Sequence, residues 1–445
     1  MATAAKIELE KLSEFQKSIH QTTSANDPID SIFNYEFRKV TWYSMHPVQL
    51  EAQLDESAVT FTVNQAYHYL LYTYMRQPLP PFAVKKEHVG KVMIAWCHNI
   101  GTNVVESGEL LIDDEVINTV DSIWYDIYFQ AYLEAKPGAR RSHNKGVGNI
   151  PCLESWQSSL PAYTTNVDQP FYYSRAPSLA FPIHLLNSQN HATHRYKLRR
   201  EISQLLRMAK LDEAGVWRSI PVDVTLLDEV KADGKLPRPQ LWGRYGYITS
   251  NEIGCHLGDK FTFYIDDVVG ARADAACKLG SSVTVMPECS SPCKSIVWVA
   301  ENLSATALNN YSNYTTDRSD LYQGWNPCAK ATLKYGAVPR FKDLDSDHFD
   351  QSEFRRHFRS IPSEEGYNGH SLAYDSASID AETGIVPSSL KVALTVTLAD
   401  TQPRYIEPEV KAETVDNVYQ VHVRMLVTRK LELNKVNGKV QVSIS

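Results

Sequence analysis

Apolar and polar residues along this chain alternate with a period of two far more often than they follow the spacing of a helix. Apolar side chains fall on every second position at Phe33, Tyr35 and Phe37, and again at Val59, Phe61 and Val63. Residues 390–398 carry an apolar residue at every even number. Such alternation predicts half-buried strands, one face in a core and the other in water. Further strands are predicted at residues 241–248, 261–265, 295–300 and 421–427. The chain closes on a predicted hairpin, residues 431–436 and 440–444, joined by Asn437-Gly438, the preferred pair for a type I′ turn.

Residues 171–186 are the densest aromatic and aliphatic stretch, punctuated by Pro177 and Pro182. They are read as two short buried strands joined by a Pro-Ser bend, because proline fixes φ and removes a ladder donor. Residues 76–83 include Pro78, Pro80 and Pro81 and are assigned to a loop outside any central strand. Asp113 and Asp114 split two apolar segments as a tight hairpin requires, after which Asn118 is the candidate cap of a helix over residues 119–135. In that helix Ile123, Ile127 and Ala131 recur every four residues beside Trp124, Tyr128 and Tyr132. Residues 136–148 are expected to form a long exposed loop, and residues 301–384, rich in Asn, Ser, Asp and Tyr, to be surface loops. Residues 200–210 have helical spacing, with Ile202, Leu205, Leu206 and Ala209, but their type is ambiguous; residues 212–238 are polar. Many short strands with Pro and Gly in the turns and few helices indicate an all-β chain of antiparallel sandwiches or barrels, twice over. No sequence repeat relates the two halves.

Length sets the number of bodies. A chain of 445 residues exceeds one ordinary core, so two domains are expected. The formal charge of −7 supplies no broad positive field for phosphates, which argues against direct nucleic-acid binding. Seven cysteines, an odd number spread thinly, do not form a disulfide framework and point to a reducing compartment. The first ten residues are too charged for a secretory signal, and no run of 18 apolar residues offers a membrane span. Residues 1–27, with Ile7, Leu9, Leu12, Phe15 and Ile19 only loosely on one helical face, read as an N-terminal arm.

Candidate chemistry is sparse. The chain holds no Gly-rich phosphate loop, no His-Glu-x-x-His and no Gly-x-Ser-x-Gly, so it does not read as an enzyme. Cys289 and Cys293, with Cys277 and His256 upstream, could ligate zinc, or could be thiols in a turn around Pro287 and Pro292. Asp345, Asp347 and Asp350 have oxygen ligands suited to calcium but lack the glycine and closing glutamate of an EF-hand loop, leaving a solvated acidic turn as the alternative. His191 and His194 adjoin Arg195, Lys197, Arg199 and Arg200, which either meet an acidic neighbour or form a solvated strand face. Asn302, Asn310 and Asn313 fit the glycosylation sequon. No catalytic, cofactor-binding or metal-ligating residue is assigned, and no cofactor is expected.

The order of segments resembles the double jelly-roll major capsid proteins of nucleocytoplasmic large DNA viruses. Residues 28–42, with Pro28, Ile29, Phe33 and the basic and aromatic residues after them, resemble that family's first strand. Residues 110–131 are similar to its hairpin running into a Trp-containing helix. Leu179-Ala-Phe-Pro-Ile183 resembles its Leu-Ala-Leu-Pro-Leu stretch. The polar residues 212–238 and the helical spacing at 200–210 depart from the pattern and mark a divergent branch. The resemblance implies an arm at 1–27 and two eight-stranded jelly rolls, at 28–252 and 253–445, with a few short helices in the connections. It also implies a homotrimeric, pseudo-hexagonal capsomer of an icosahedral double-stranded DNA virus shell, made in the host cytoplasm. Outward loops would come from 301–330 and 335–384, and partners would be neighbouring capsomers, penton and minor capsid proteins, with an internal membrane beneath the arm. The alternative from the residues alone is a soluble two-domain β-sandwich that binds carbohydrate through the loops around Trp325.

Overall fold

The computed structural model describes residues 43–54, 58–133, 138–186, 191–228, 234–249, 253, 260–288, 291–378, 391–401, 410–411, 416–436 and 439–444. The arm at 1–27, the strand predicted from Phe33 up to Trp42, the Asn437-Gly438 turn, Cys255, His256 and Cys289 lie outside the described residues. Contacts divide the chain into a large unit, Met45–Tyr247 with Leu257–Ser445, and a small one, Met1–Ser44 with Ile248–His256. The account below concerns the large unit and the strands that enter it.

Two sandwiches with one strand order make up the large unit. In the first half, one sheet sets Tyr43–Gln49, Gln240–Ile248, Tyr69–Leu79 and Tyr163–Asp168 side by side. The other runs Glu51–Leu54, Val59–Thr62, Ala192–Leu198, Val105–Ile112 and Glu115–Asp121. Numbered along the chain without the short Glu51–Leu54, these principal strands give the orders first-last-third-sixth and second-seventh-fourth-fifth. The second half repeats both: Lys260–Arg272, Val418–Val436, Cys293–Asn302 and Tyr367–Ser371 in one sheet, Ser282–Val285, Val392–Leu398, Cys328–Tyr335 and Val338–Asp345 in the other. Two nested Greek keys with this order are a jelly roll, so the fold is a double jelly roll. Two small sheets, one of them completed by Val410–Lys411 of the second half, enclose a separate apolar cluster that includes Trp96, Ile100, Leu206 and Met208.

Burial explains the sequence pattern. The strand at Val392–Leu398 alternates buried and half-buried without a fault, as its sequence predicts. The apolar run at residues 295–300 does not alternate because its sheet is covered on both faces. Ile296, Trp298, Val423 and Met425 face the core of the second sandwich, with Leu394 and Leu333. Val297, Val299 and Leu426 face the other way, into a core shared with Trp124, Ile127 and Tyr172 of the first half.

Several expectations are corrected. Residues 171–186 are not two strands: tight turns at Tyr172–Ser174, Pro177–Leu179 and Ile183–Leu185 flank a two-residue strand, Phe181–Pro182, that pairs with Leu70 and Tyr69. Pro177 sits where a helical first turn has no use for an N–H, which is why the chain coils instead of extending. The stretch is nonetheless buried, with Phe171, Tyr173 and Phe181 fully enclosed. Pro78 does lie in a central strand: Tyr69–Leu79 pairs with Gln240–Ile248 only as far as Arg76, so the missing proline donor falls beyond the last rung on that side. The hairpin at Asp113-Asp114 forms with both residues at positive φ, 48° and 69°. The helix begins later than predicted, at Ser122–Ala131, because Asp121 is its cap, accepting from the Trp124 N–H at 2.7 Å, while Asn118 stays in the preceding strand.

Residues 136–148 hold a helix, Ala139–Val147, where an exposed loop was expected. Residues 200–210 divide into one helical turn, Ile202–Leu205, and a strand, Leu206–Leu211, and the polar stretch after them contains Trp217–Ile220. Residues 301–384 are not mainly surface loops. They supply three strands of the second sandwich, Cys328–Tyr335, Val338–Asp345 and Tyr367–Ser371, and Asn310, Asn313, Tyr314, Thr315, Thr316 and Asp317 are buried. The polar residues there satisfy one another, as where Asn313 Nδ2 donates to the Asp317 carbonyl at 2.8 Å.

Phe181 is 0 % exposed in the largest core. Phe181→Ala is expected to lose roughly 3–5 kcal/mol of folding stability, read as a lower denaturant midpoint at an unchanged m-value. An unshifted midpoint would mean the stretch is not part of the core.

Candidate functional site

The chemistry of this chain is concentrated where the two halves meet. Helix Ser122–Ala131 lies against the doubly buried sheet, with Trp124, Tyr128 and Tyr132 lining a small cavity closed by Val268 and Leu426. The Tyr132 hydroxyl meets Ser295 Oγ at 2.5 Å. The helix cap does double duty: Asp121 also accepts from Arg424 Nη2 at 2.5 Å. Three residues earlier in the same strand, Asn118 Nδ2 donates to Asp267 at 2.6 Å, and Arg429 pairs with the same carboxylate at 2.9 Å.

A three-charge cluster sits at the centre of this contact. Asp266 lies between Arg175 of the first half and Lys294, whose Nζ is 2.8 Å from it. The side chains are 8 %, 6 % and 1 % exposed for Arg175, Asp266 and Lys294, so none of these charges is hydrated in the usual way. The two cations reach further acceptors, Arg175 the Ala377 carbonyl at 2.8 Å and Lys294 the Ser378 carbonyl at 2.8 Å. Burial depresses Arg175 from its ordinary range.

A second cluster is built on His98. Its Nδ1 meets Glu154 at 2.5 Å and its Nε2 meets Glu364 at 3.1 Å, the two partners coming from opposite halves. Burial alone would neutralise the ring, but Glu364 and Glu154 override it and hold His98 up at about 10. Burial would likewise raise Glu364, yet His98 and then Arg140 keep it below the usual carboxylate range. Alongside, Asp126 accepts from Asn99 Nδ2 at 2.9 Å and from the Tyr314 hydroxyl at 2.8 Å, with burial pushing it up to about 6. Arg140 extends the network to Gln130 at 2.8 Å and Ser360 at 2.9 Å. Arg207 donates to the Ser319 carbonyl at 2.6 Å, and Asn309 to the Ser203 and Leu206 carbonyls at 2.5 and 2.7 Å.

The residues singled out in the sequence lie elsewhere. His194 is fully buried beside the Tyr173 hydroxyl, 3.1 Å away, and burial lowers it to about 3, so it is neutral. The basic residues beside it face outward and meet acidic neighbours on the adjacent strand: Arg195 pairs with Glu109 and Lys197 with Glu106, each at 2.6 Å. Asn302, Asn310 and Asn313 are at most 1 % exposed, which closes all three sequons to a glycan in the folded chain. Cys293 is buried and Cys277 half-buried, and Asp345 pairs with Lys330 at 3.9 Å. Among the described residues no three His, Cys, Asp or Glu side chains converge as a metal site. Trp325 is 45 % exposed and Tyr322 55 %.

Comparison with known proteins decides what such a seam is for. The family model described as the major capsid protein N-terminus matches residues 31–248. The major capsid protein of Simulium iridescent virus is 23 % identical over 403 residues, covering 85 % of this chain and 82 % of the relative, and that of Tipula iridescent virus is 23 % identical over the same length, covering 85 % and 83 %. VP54 of PBCV-1, from the crystal structure fitted into a reconstruction of the virophage Sputnik, superposes with a TM-score of 0.71 at 13 % identity, over 93 % of this chain and 100 % of that one. The Faustovirus major capsid protein gives 0.67 at 8 % identity, over 96 % and 98 %. The chain belongs to the double jelly-roll major capsid proteins of large DNA viruses. This capsid protein is a structural component of the virion shell and not an enzyme. Its buried charges are accordingly paired rather than poised for reaction, and they lock one sandwich against the other.

The seam residues were missed because no motif marks them. The signal available was charge inside apolar strands: Asp266-Asp267 interrupts residues 261–269, and Lys294 opens the run 295–300. For His98, the raised value means its contribution to stability is complete below about 6.5 and is lost as pH rises through about 10. His98→Gln is expected to be roughly 3–5 kcal/mol less stable than wild type at pH 6. Denaturation at a series of pH values should show that gap narrowing toward pH 10, whereas a pH-independent gap would mean the ring is not held charged.

Proposed function

We propose that three copies of this capsid protein form one pseudo-hexagonal capsomer, with residues 28–252 and 253–445 as its two jelly-roll domains. The observation that carries this reading is the repeat of one strand order in both halves, joined by a buried polar seam. Two like bodies held rigidly in each chain let three chains present six similar units to a lattice, and closed cyclic symmetry is the usual outcome for identical subunits. Capsomers then meet neighbouring capsomers, penton and minor capsid proteins through weaker contacts. The arm at 1–27 points to those minor proteins or to an internal membrane. Synthesis takes place in the host cytoplasm, and the net charge of −7 leaves the DNA to other components.

Purified protein at micromolar concentration is expected to scatter light as a species close to three times 50.3 kDa, and to appear in negative stain as a hollow six-sided particle. A stable monomer overturns the trimer.

A further inference from the structure

The chain makes one sheet-covering interface internally and, among the described residues, leaves both partners of a second one open. Internally, the outer face of the second half's first-last-third-sixth sheet is covered by the first half's fifth strand, Glu115–Asp121, and the helix after it. Among the described residues, no strand or helix covers the outer face of the corresponding sheet of the first half. There Tyr74 stacks on Trp242 with centroids 6.5 Å apart, and Tyr72 is 40 % exposed. Tyrosine, tryptophan and arginine on one flat face are the residues that interface cores favour. The corresponding fifth strand of the second half, Val338–Asp345, is exposed along most of its length, whereas Ile117, Asn118 and Val120 of Glu115–Asp121 are buried.

The charges match in the same way. Internally, Asp121, the last residue of the fifth strand, pairs with Arg424, which lies on the outer face of the last strand opposite Val297 of the third. Arg244 holds the same relation in the first half: it lies on the last strand, opposite Tyr72 of the third. Asp345 is the last residue of the second half's fifth strand, 74 % exposed, with Lys330 at 3.9 Å. Among the described residues Arg244 has no ion-pair partner.

We propose that the outer face bearing Tyr72, Tyr74, Trp242 and Arg244 receives the Val338–Asp345 strand of a second copy of this chain, with Arg244 of one copy facing Asp345 of the next. The contact rests on the trimer reading and deepens it by naming the seam. It is heterologous, one surface meeting a different one, so it closes only as a ring.

Light scattering and thermal melts of wild type, Arg244→Glu, Asp345→Lys and the double variant test it. Wild type should be trimeric, each single reversal should weaken the trimer at least tenfold and leave a folded species near 50.3 kDa, and the double reversal should restore the trimer. Trimeric wild type with trimeric single variants overturns this contact and leaves the trimer standing; a monomeric wild type overturns both. Lost trimer without rescue in the double variant overturns the Arg244–Asp345 pairing. Should a reversal fail to fold, Arg244→Cys with Asp345→Cys reads the same contact: oxidation should give covalent two- and three-chain species on a non-reducing gel, and their absence overturns it.

Discussion

Burying a sheet on both faces forces every charge it carries to find a partner. The second half's central sheet carries Asp266, Asp267, Lys294 and Arg424, all at most 8 % exposed as side chains. Its own strands pair only some of these groups; Arg175, Asn118 and Asp121 of the first half complete the rest. An uncompensated charge at this depth costs several kcal/mol, so the second sandwich reaches its low-energy state only with the first in place. The seam therefore acts less as glue than as a condition on the position of one body relative to the other. For a shell protein that condition is the function, since a lattice repeats whatever geometry each subunit fixes.

The repeated strand order shows how two sequences with no visible repeat arrive at the same topology. Each half needs one sheet whose inner face is apolar and a second to face it, and both achieve this with short alternating strands. What distinguishes the halves is the outer face of the matching sheet. Val297, Val299 and Leu426 make it a core in the second half, while Tyr72, Trp242 and Arg244 make it amphipathic in the first. The difference is one of side chains on a shared scaffold.

The sandwiches were legible in the sequence because period-two alternation is a local property: the strands at Val59–Thr62 and Val392–Leu398 lie where the pattern places them, while residues 421–427 and 431–436, expected as two strands, run on as one, Val418–Val436. The aromatic stretch at 171–186 was legible as core but not as coil, since proline is equally at home at a strand edge and at the first position of a helical turn. The polar residues 310–317 misled because Asn, Ser, Thr and Asp read as solvent-exposed, although they are buried with hydrogen bonds among themselves and to Arg318, Trp325 and Asn417. The seam was illegible for a different reason. Its pairs join residues as far apart as His98 and Glu364, 266 positions, and single-sequence patterning carries no information about such partners.

That separation also orders events on the ribosome. His98 and Asp126 emerge long before Glu364 and Tyr314, and at about 5–20 residues per second the waits are on the order of 10 to 50 s. Throughout them the first sandwich holds polar groups prepared for a partner that has not yet been synthesised. The small sheet holding Trp217–Ile220 closes at a later point in synthesis, because its Val410–Lys411 strand follows Glu364 in the chain. Closure of the seam is thus reported by residues made after its first half, and a nascent chain that lacks them presents an open seam that distinguishes it from one ready to enter a shell.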